Sequence, residues 1–265
     1  MSKSRVSLVD RLRTPEPLLG TILTIRSADV AEALAIAGFG WFMLDLEHST
    51  LDVPVAQQIV QVVAGRAFSV IRLPDHSPAH FKKCLDTGCD GIIVPLVNSR
   101  QMAEEAVRLA KYPPMGARSV GIGRAHGYGL SFGDYVAHAN EHVALILQVE
   151  HIDAVNHVHE ILSVPGFDAV LIGPYDLSGS MNRLGEVTAP EVVDAIERVR
   201  EACVSAGKPF GIFRMTAEQA KKEAELGARL LLIGTDMALV TGSAKALVDA
   251  LKPQSPASAP PTANG

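Results

Sequence analysis

The sequence predicts an α/β fold, a (β/α)8 TIM barrel, because short apolar runs alternate along it with amphipathic stretches. Eight runs rich in aliphatic and β-branched residues are each followed by a helical pattern, and most of these patterns end at a glycine. Such runs fit strands that are buried on both faces. Eight strand–helix units within 265 residues fit one closed barrel. An open, doubly wound sheet is the alternative, because periodicity alone does not show closure.

Four strand–helix units occupy the first part of the chain. Their helices begin near proline or small polar residues such as Ser99, and the first three end before Gly38, Gly65 and Gly88. The predicted strands cover residues 18–25, 40–46, 68–73 and 91–97, and the predicted helices cover 28–37, 53–64, 78–87 and 99–110.

A long glycine-rich connection, residues 112–130, interrupts the alternation, and loops of this kind often bind ligands or act as lids. Its Gly121-Ile122-Gly123 is not a dinucleotide fingerprint, because no strand precedes it and the third glycine is misplaced. A short helix is predicted over 132–140, and the alternation then resumes. The later predicted strands cover 143–149, 169–173, 210–214 and 230–234, and the helices that follow them cover 154–162, 191–206, 217–226 and 237–251.

Composition excludes several classes of partner. The net charge is −5 and no basic face or Lys/Arg run is present, which argues against nucleic acid. No apolar run approaches the roughly 18 residues of a membrane span, so we expect no membrane partner. The three cysteines lack CxxC spacing and the first residues lack a signal-peptide core, which predicts a cytoplasmic protein.

The last part of the chain differs in composition from the rest. Residues 253–265 are mostly proline, alanine, serine and threonine, without a large apolar residue. Such a segment buries too little surface to offset the entropy of ordering. We therefore expect one barrel domain over 1–252 and a disordered tail over 253–265.

Ionisable residues follow several of the predicted strands. In a barrel the carboxyl ends of the strands meet at one face, which holds the active site. These residues are Asp45, Glu47 and His48 after the second strand, Arg72 in the third, Glu150 after the fifth and Asp176 after the sixth.

Glu150 and Asp176 are candidates for a metal site. They lie about one strand–helix repeat apart, so neighbouring strand ends can bring both carboxylates to one hard cation such as Mg²⁺ or Mn²⁺. Gln148 is two residues before Glu150 and points to the same side of its strand, either as an orienting neighbour or as an interior polar group. The alternative is two unrelated carboxylates at the rim, with Asp176 capping a turn.

Asp45 and His48 are candidates for a general base, because an aspartate bonded to an imidazole fixes its tautomer and raises its basicity. The alternative is an aspartate that caps a turn beside an exposed histidine. Arg72 on a buried strand requires an anion, which is either a substrate oxygen or a carboxylate in a structural ion pair.

The positions of the remaining histidines and of the lysines do not favour a role for them in the active site. His126 in the long loop is expected at the surface, with entry into the site as the alternative. The helix-associated histidines are also expected at the surface: His138, His142, His151, His157 and His159. No lysine lies within a predicted strand or at its carboxyl end. A Schiff-base aldolase needs such a lysine, so an enolate in this barrel is expected to depend on a metal.

Several motifs of the chain resemble those of the HpcH/HpaI family of metal-dependent pyruvate aldolases, over roughly residues 5 to 252. They agree in both order and spacing. The motifs are Asp45-Leu46-Glu47-His48-Ser49, Arg72-Leu73-Pro74, Gly91-Ile92-Ile93-Val94-Pro95, Tyr112-Pro113-Pro114-x-Gly116-x-Arg118-Ser119, Gln148-Val149-Glu150 and Ile172-Gly173-Pro174-Tyr175-Asp176-Leu177-Ser178.

The resemblance implies a class II aldolase that reversibly cleaves 4-hydroxy-2-oxo acids to pyruvate and an aldehyde through a metal-stabilised enolate. By similarity, Glu150 and Asp176 bind Mg²⁺ or Mn²⁺, with Co²⁺ or another divalent ion as a substitute. Arg72 holds the 2-oxo oxygen. His48, paired with Asp45, moves the proton of the 4-hydroxyl group.

The resemblance also implies supporting residues and an assembly. Asp86 is expected near a subunit interface, where it supports the Asp45–His48 pair. The family is usually hexameric, with the last helix exchanged between neighbouring subunits. The expected substrate-binding residues, besides Arg72, are Gln148, Gly173, Pro174 and Phe213.

Two questions stay open at the level of sequence. Arg118 and Arg124 either bind a distal substrate carboxylate or pair with the barrel helices, so succinic semialdehyde, tartronate semialdehyde and lactaldehyde are all candidate aldehydes. The alternative enzyme is an acyl-CoA lyase of the citrate lyase β or malyl-CoA kind, although no basic cluster for CoA phosphates is evident. A binding protein on a decayed barrel is the third possibility.

Overall fold

The eight predicted strands form a closed parallel barrel in the computed structural model, which describes residues 6–252. Each strand pairs with the next in the chain, and the eighth pairs with the first. Closure confirms the barrel and excludes the open sheet. The strands are β1 (Leu18–Leu23), β2 (Trp41–Asp45), β3 (Phe68–Arg72), β4 (Gly91–Val94), β5 (Ala144–Val149), β6 (Ala169–Ile172), β7 (Phe210–Arg214) and β8 (Leu230–Thr235).

Twelve α-helices accompany the strands within the described residues, and many begin at a serine, threonine or aspartate whose side chain accepts a backbone N–H of the first turn. Ser99 caps its helix in this way, as predicted. The helices are α1 (Leu8–Leu12), α2 (Ala28–Ile36), α3 (Val53–Val63), α4 (Pro78–Asp86), α5 (Arg100–Ala110), α6 (Phe132–His142), α7 (Ile152–Asn156), α8 (Val158–Leu162), α9 (Pro174–Ser180), α10 (Pro190–Ser205), α11 (Ala217–Glu225) and α12 (Asp236–Leu251).

The helices depart from the sequence prediction in three places. The short helices α1 and α9 were not predicted, and α9 contains serine and glycine, which favour turns over helices in sequence patterns. The single helix predicted over 154–162 is two helices, α7 and α8, because His157 between them departs from helical geometry. The tail predicted over 253–265 lies outside the described residues.

Two apolar layers hold the barrel together. The outer layer lies between the strands and the helices, and the inner layer fills the barrel. Helix α1 belongs to the inner layer, since Leu8, Val9 and Leu12 are all buried in it. Trp41 is fully buried there, and a side chain at Gly20 would overlap its indole ring. None of the helices within residues 6–252 has the length and apolar character of a membrane span.

Asp236 connects the end of β8 to the loop after β1. Its buried carboxylate accepts the backbone N–H groups of Thr24 at 2.9 Å and Ile25 at 2.8 Å, and the hydroxyl of Thr24 at 2.7 Å. Because these bonds join the last strand to the first, they reinforce the closure of the barrel at the face where the strands end.

Replacing this carboxylate is expected to destabilise the fold. Asp236→Ala leaves the partly buried N–H groups of Thr24 and Ile25 without an acceptor, so we expect the free energy of unfolding to fall by about 1–3 kcal/mol. Urea unfolding at one fixed protein concentration measures the change. Asp134→Ala removes an exposed carboxylate of α6 and is the matched control, with an expected change of about 0.5 kcal/mol or less. Equal effects of the two substitutions would contradict the assignment.

Candidate active site

A cavity of about 150 Å³ opens at the face where the strands end. The structure brings most of the predicted site residues to it, although they come from five different parts of the chain. Glu150 and Asp45 lie directly behind this lining, bonded to Gln148 and Arg72 respectively. The predicted residues that line the cavity are His48, Arg72, Gln148, Gly173, Pro174, Asp176 and Phe213.

Arg72 and Asp45 form a buried, two-pronged ion pair across β2 and β3. They occupy paired positions in the sheet, and Arg72 donates from Nε to one Asp45 oxygen at 2.9 Å and from Nη2 to the other at 2.7 Å. Burial alone lowers the pKa of Arg72, but the hydrogen bond and charge of Asp45 outweigh burial and hold that pKa above its usual value. The guanidinium is therefore charged and fixed in direction.

Asp45 does not hold the His48 ring, contrary to the prediction. Besides Arg72, its carboxylate accepts the backbone N–H groups of Glu47 at 3.1 Å and His48 at 3.2 Å, so it closes the turn after β2. The His48 side chain is 61% exposed, and its Nε2 lies 3.7 Å from Glu47 Oε2. The physical reason is that Arg72 and two backbone N–H groups occupy the Asp45 oxygens, while the exposed His48 ring lies beside Glu47.

Glu150 is a buried carboxylate held by two donors. Oε1 accepts the Leu96 N–H at 2.8 Å, and Oε2 accepts the side-chain amide of Gln148. Burial raises the pKa of Glu150 to about 7; the Leu96 N–H opposes this shift, and the nearby charges of Glu47 and Asp176 add to it. The group thus lies in surroundings that disfavour its negative charge unless a cation is present.

Gly173 provides the space that this carboxylate occupies. A Cβ atom at Gly173 would lie 2.8 Å from Glu150 Cβ and 2.9 Å from Glu150 Oε2, closer than real Cβ contacts allow. Helix α9 begins at the next residue, Pro174, and carries Asp176 in its first turn. The segment after β6 therefore leaves space for the Glu150 side chain at Gly173 and places a second carboxylate, that of Asp176, at the cavity.

The oxygen atoms at this site suit a hard divalent cation. Glu150 and Asp176 supply carboxylates, and the buried atoms Gln148 Oε1 and Glu47 Oε2 have no hydrogen-bond partner among the described residues. Mg²⁺ and Mn²⁺ take oxygen ligands and commonly keep positions for water and substrate, so two protein carboxylates suffice. Residues 6–252 hold no cluster of three or more His, Cys, Asp or Glu side chains arranged for a metal.

Asp86 is the one predicted site residue that lies away from the cavity. It ends α4 and accepts the guanidinium of Arg118 at 3.1 Å. Arg118 is itself buried, with its guanidinium 4.5 Å from the centre of the Tyr112 ring. Arg124 donates to the Thr87 carbonyl at 2.7 Å. Both loop arginines thus pair with the barrel helices rather than with the cavity.

His126 is buried, so the prediction that it lies at the surface is wrong. Its Nε2 lies 3.1 Å from the Tyr112 hydroxyl, and its ring stacks on Phe132 with 5.4 Å between centres. The loop has its own small aromatic core, which the sequence pattern did not indicate. Burial lowers the pKa of His126, which favours a neutral ring. Of the five helix-associated histidines expected at the surface, four are exposed and His151 is half-buried.

Residues 20–242 match the sequence model of the HpcH/HpaI aldolase/citrate lyase family. The chain belongs to this family. It is 37% identical over 238 residues to a hydroxypyruvate/pyruvate aldolase of Delftia acidovorans, covering 89% of this chain and 88% of the relative. It is 36% identical over 241 residues to a 4-hydroxy-2-oxo-heptane-1,7-dioate aldolase of Klebsiella pneumoniae, covering 90% and 91%.

A solved structure agrees with this placement in the HpcH/HpaI family. A protein of the same family from Burkholderia cenocepacia superposes with a TM-score of 0.88 at 34% identity, covering 92% of this chain and 99% of the other. The relatives at 36–37% identity are both named aldolases, which favours the aldolase over the acyl-CoA lyase alternative.

Two residues of this HpcH/HpaI site were not assigned by the sequence. Glu47 lies with Oε2 3.2 Å from Arg72 Nη1, and its only signal was its place between Asp45 and His48. Leu96 presents its N–H to Glu150 from a left-handed conformation with φ of +50°. A leucine rarely adopts that conformation, so no sequence pattern indicates it.

The raised pKa of Glu150 predicts a particular pH dependence of stability in metal-free protein. Its folded-state pKa of about 7 exceeds the unfolded value of about 4.3, so the folded state binds more protons between these values. The free energy of unfolding therefore falls as pH rises from about 4.5 to about 7, by about 3 kcal/mol for this group.

Urea unfolding in EDTA across this pH range measures the effect. Glu150→Gln keeps the shape of the side chain but cannot ionise, so its stability should decline less with rising pH than that of the wild type. Glu160→Gln, at an exposed position on α8, is the control. Its free energy of unfolding should change with pH by the same amount as that of the wild type. An unchanged slope in Glu150→Gln would show that burial does not disfavour the charged carboxylate.

Proposed function

We propose that the chain is a class II, metal-dependent pyruvate aldolase that reversibly cleaves 4-hydroxy-2-oxo acids to pyruvate and an aldehyde. The observation that supports this most directly is the cavity that Arg72 and Asp176 line, with the buried Glu150 directly behind the lining and bonded to Gln148. Cleavage of the C3–C4 bond leaves negative charge on the pyruvate enolate. The proposed site concentrates positive charge where that negative charge develops.

Glu150 and Asp176 are the proposed metal ligands, for Mg²⁺ or Mn²⁺, with Co²⁺ or another divalent ion as a possible substitute. Such an ion, when bound, acts as a Lewis acid toward the 2-oxo oxygen of the substrate. Gln148 supports this arrangement by donating its amide to Glu150. Gly173, Pro174 and Phe213 are proposed to line the pyruvate end of the cavity.

Arg72 is proposed to bind the 2-oxo oxygen and to stabilise the enolate. Asp45 accepts two of the Arg72 N–H groups, and Glu47 Oε2 lies 3.2 Å from Nη1. A guanidinium has five N–H groups, so the others are available to an oxygen of the substrate. The ion pair with Asp45 keeps the guanidinium in place, so no reorganisation is needed as charge develops. Asp45 thus acts on the reaction through Arg72 and through the turn that carries His48.

His48 is proposed to move the proton of the 4-hydroxyl group, since its exposed ring lines the cavity mouth. Removal of that proton starts cleavage of the carbon–carbon bond. Within one chain its carboxylate neighbour is Glu47. The contribution of Asp86 stays a prediction, and it requires a neighbouring subunit because Asp86 does not line this cavity.

We propose that the protein is a homo-oligomer, as in the hexamers expected from the family resemblance, with α12 exchanged between neighbours. Beyond Asp236 every residue of α12 is exposed in the single chain, including Leu239, Val240, Leu247 and Val248. A helix with so many exposed apolar side chains gains stability when a second copy covers it. The free, buried cysteines suit a reducing compartment, which supports the proposed cytoplasmic location.

Release of pyruvate from 4-hydroxy-2-oxo acids tests the proposed reaction. With Mn²⁺ or Mg²⁺ we expect turnover that EDTA abolishes. Asp176→Ala and Arg72→Lys should each lower kcat/KM at least 100-fold, about 3 kcal/mol of transition-state stabilisation. Asp153→Ala, which removes an exposed carboxylate on α7, should retain activity. Pyruvate release that survives both EDTA and Asp176→Ala would exclude the metal mechanism.

Light scattering tests the proposed assembly. The unaltered chain should have the mass of a hexamer, and Leu247→Glu with Val248→Glu should yield smaller species because two charges enter the apolar contact. Lys245→Glu changes an exposed polar position of the same helix and controls for charge alone. If the double substitution leaves the mass unchanged, α12 is not the contact between subunits.

A further inference from the structure

Helix α6 carries two histidines on one exposed face, outside the cavity of the proposed aldolase. His138 and His142 are four residues apart, which places one above the other on the helix. Both side chains are exposed, and their rings lie nearly parallel, with 5.6 Å between centres and 10° between planes. Two histidines at this spacing on one face of a helix bind zinc in metalloproteases.

The separation of the two rings fits a single bound ion. A zinc ion lies about 2.0–2.1 Å from each imidazole nitrogen that binds it, and its ligands are arranged tetrahedrally. The ring centres of two histidines on one zinc ion are therefore about 5 Å apart. The 5.6 Å between the His138 and His142 ring centres is close to this value. Rotation of the two exposed rings, without movement of the helix, would bring both to one ion.

Asp134 holds the His138 ring in the form that binds a metal. His138 Nδ1 lies 2.8 Å from the backbone oxygen of Asp134 and 3.5 Å from its carboxylate Oδ1. Because a carbonyl oxygen can only accept, Nδ1 carries the hydrogen and donates it. In the neutral ring Nε2 then keeps its lone pair for a cation. Histidines that bind metals commonly donate from their other ring nitrogen to a carbonyl or a carboxylate in this way.

The two rings open onto the same space. His138 and His142 both line a cavity of about 330 Å³, together with Asp134 and Tyr135. Asp134 adds a negative charge to this lining, and His142 is the last residue of α6, where the backbone carbonyl groups carry partial negative charge. The cavity therefore offers imidazole nitrogens in surroundings that favour a cation, with room for water.

This pair of histidines is separate from the carboxylates proposed for catalysis. Helix α6 ends directly before β5, whereas Glu150 follows that strand, so the six residues of β5, about 20 Å in length, lie between them. The atoms also differ in type, since carboxylate oxygens suit Mg²⁺ and Mn²⁺, and imidazole nitrogens suit Zn²⁺, Ni²⁺ and Cu²⁺. The helix proposed to contact other subunits is α12, not α6.

We propose that His138 and His142 form a second metal site of this protein, for a transition-metal dication such as Zn²⁺. His138 binds the ion through Nε2, and His142 binds it through one ring nitrogen. Asp134 orients the His138 ring without contacting the ion, and water completes the coordination. Because the ion joins two successive turns of α6, its binding stabilises the folded chain. The proposal is independent of the proposed aldolase function.

Equilibrium dialysis against Zn²⁺ in a large excess of Mg²⁺ tests the proposal with the full chain. Mg²⁺ competes for oxygen ligands but not for imidazole. At a free zinc concentration that saturates the unaltered chain, we expect that chain to bind one zinc ion more than either His138→Gln or His142→Gln. Zinc that remains at the catalytic carboxylates is common to all these proteins and cancels in the difference.

His157→Gln is the matched control. His157 is also exposed, and its Nδ1 lies 2.8 Å from the backbone oxygen of Asp153, four residues before it. The residue four positions after it is Ile161, so no second imidazole shares its face at that spacing. This variant should bind as much zinc as the unaltered chain. Equal zinc binding by all four proteins, or an equal loss in His157→Gln, would overturn the proposal.

Urea unfolding distinguishes loss of the site from loss of the fold. Without zinc, His138→Gln and His142→Gln should unfold at the same urea concentration as the unaltered chain, because both positions are exposed. Added Zn²⁺ should raise the urea midpoint of the unaltered chain and of His157→Gln more than that of the two α6 variants. The same rise in all four proteins would show that zinc acts elsewhere and would overturn the proposal.

Discussion

The buried ion pair between Arg72 and Asp45 is the interaction on which the site depends. It joins the ends of two adjacent strands at paired positions, and each partner satisfies the other in a place where either charge alone would be costly. The same carboxylate accepts two backbone N–H groups of the next turn. One aspartate therefore sets the direction of the guanidinium and the path of the segment that carries His48.

The charges around the cavity do not balance without a further cation. Asp45 is neutralised by Arg72, but Glu47, Glu150 and Asp176 crowd the same region, and their mutual repulsion appears in the raised pKa values of Glu47 and Glu150. Burial is the larger cause of both shifts. A divalent cation between Glu150 and Asp176 would offset this excess of negative charge, so the proposed chemistry and the electrostatics of the site have the same requirement.

Two segments outside the barrel have roles set by packing. The loop over 112–130 is held by its own aromatic core around His126, which keeps Arg118 on the tyrosine rings and away from the cavity. Helix α12 has the opposite character, because its side chains find little to contact within one chain. The first arrangement pairs Arg118 with groups of its own chain, and the second is the basis of the proposed assembly with other copies.

The sequence by itself determined the order of the eight strands and the strand ends that carry chemistry, because buried parallel strands are continuous apolar runs and polar residues after them stand out. It also indicated Arg72, Glu150 and Asp176 as candidate site residues by type and position. The tertiary structure alone decided which side chains pair: Asp45 bonds to Arg72 rather than to the His48 ring, Arg118 bonds to Asp86, and His126 is buried. Those outcomes depend on contacts between residues distant in the chain or on local backbone conformation, and residue spacing carries neither.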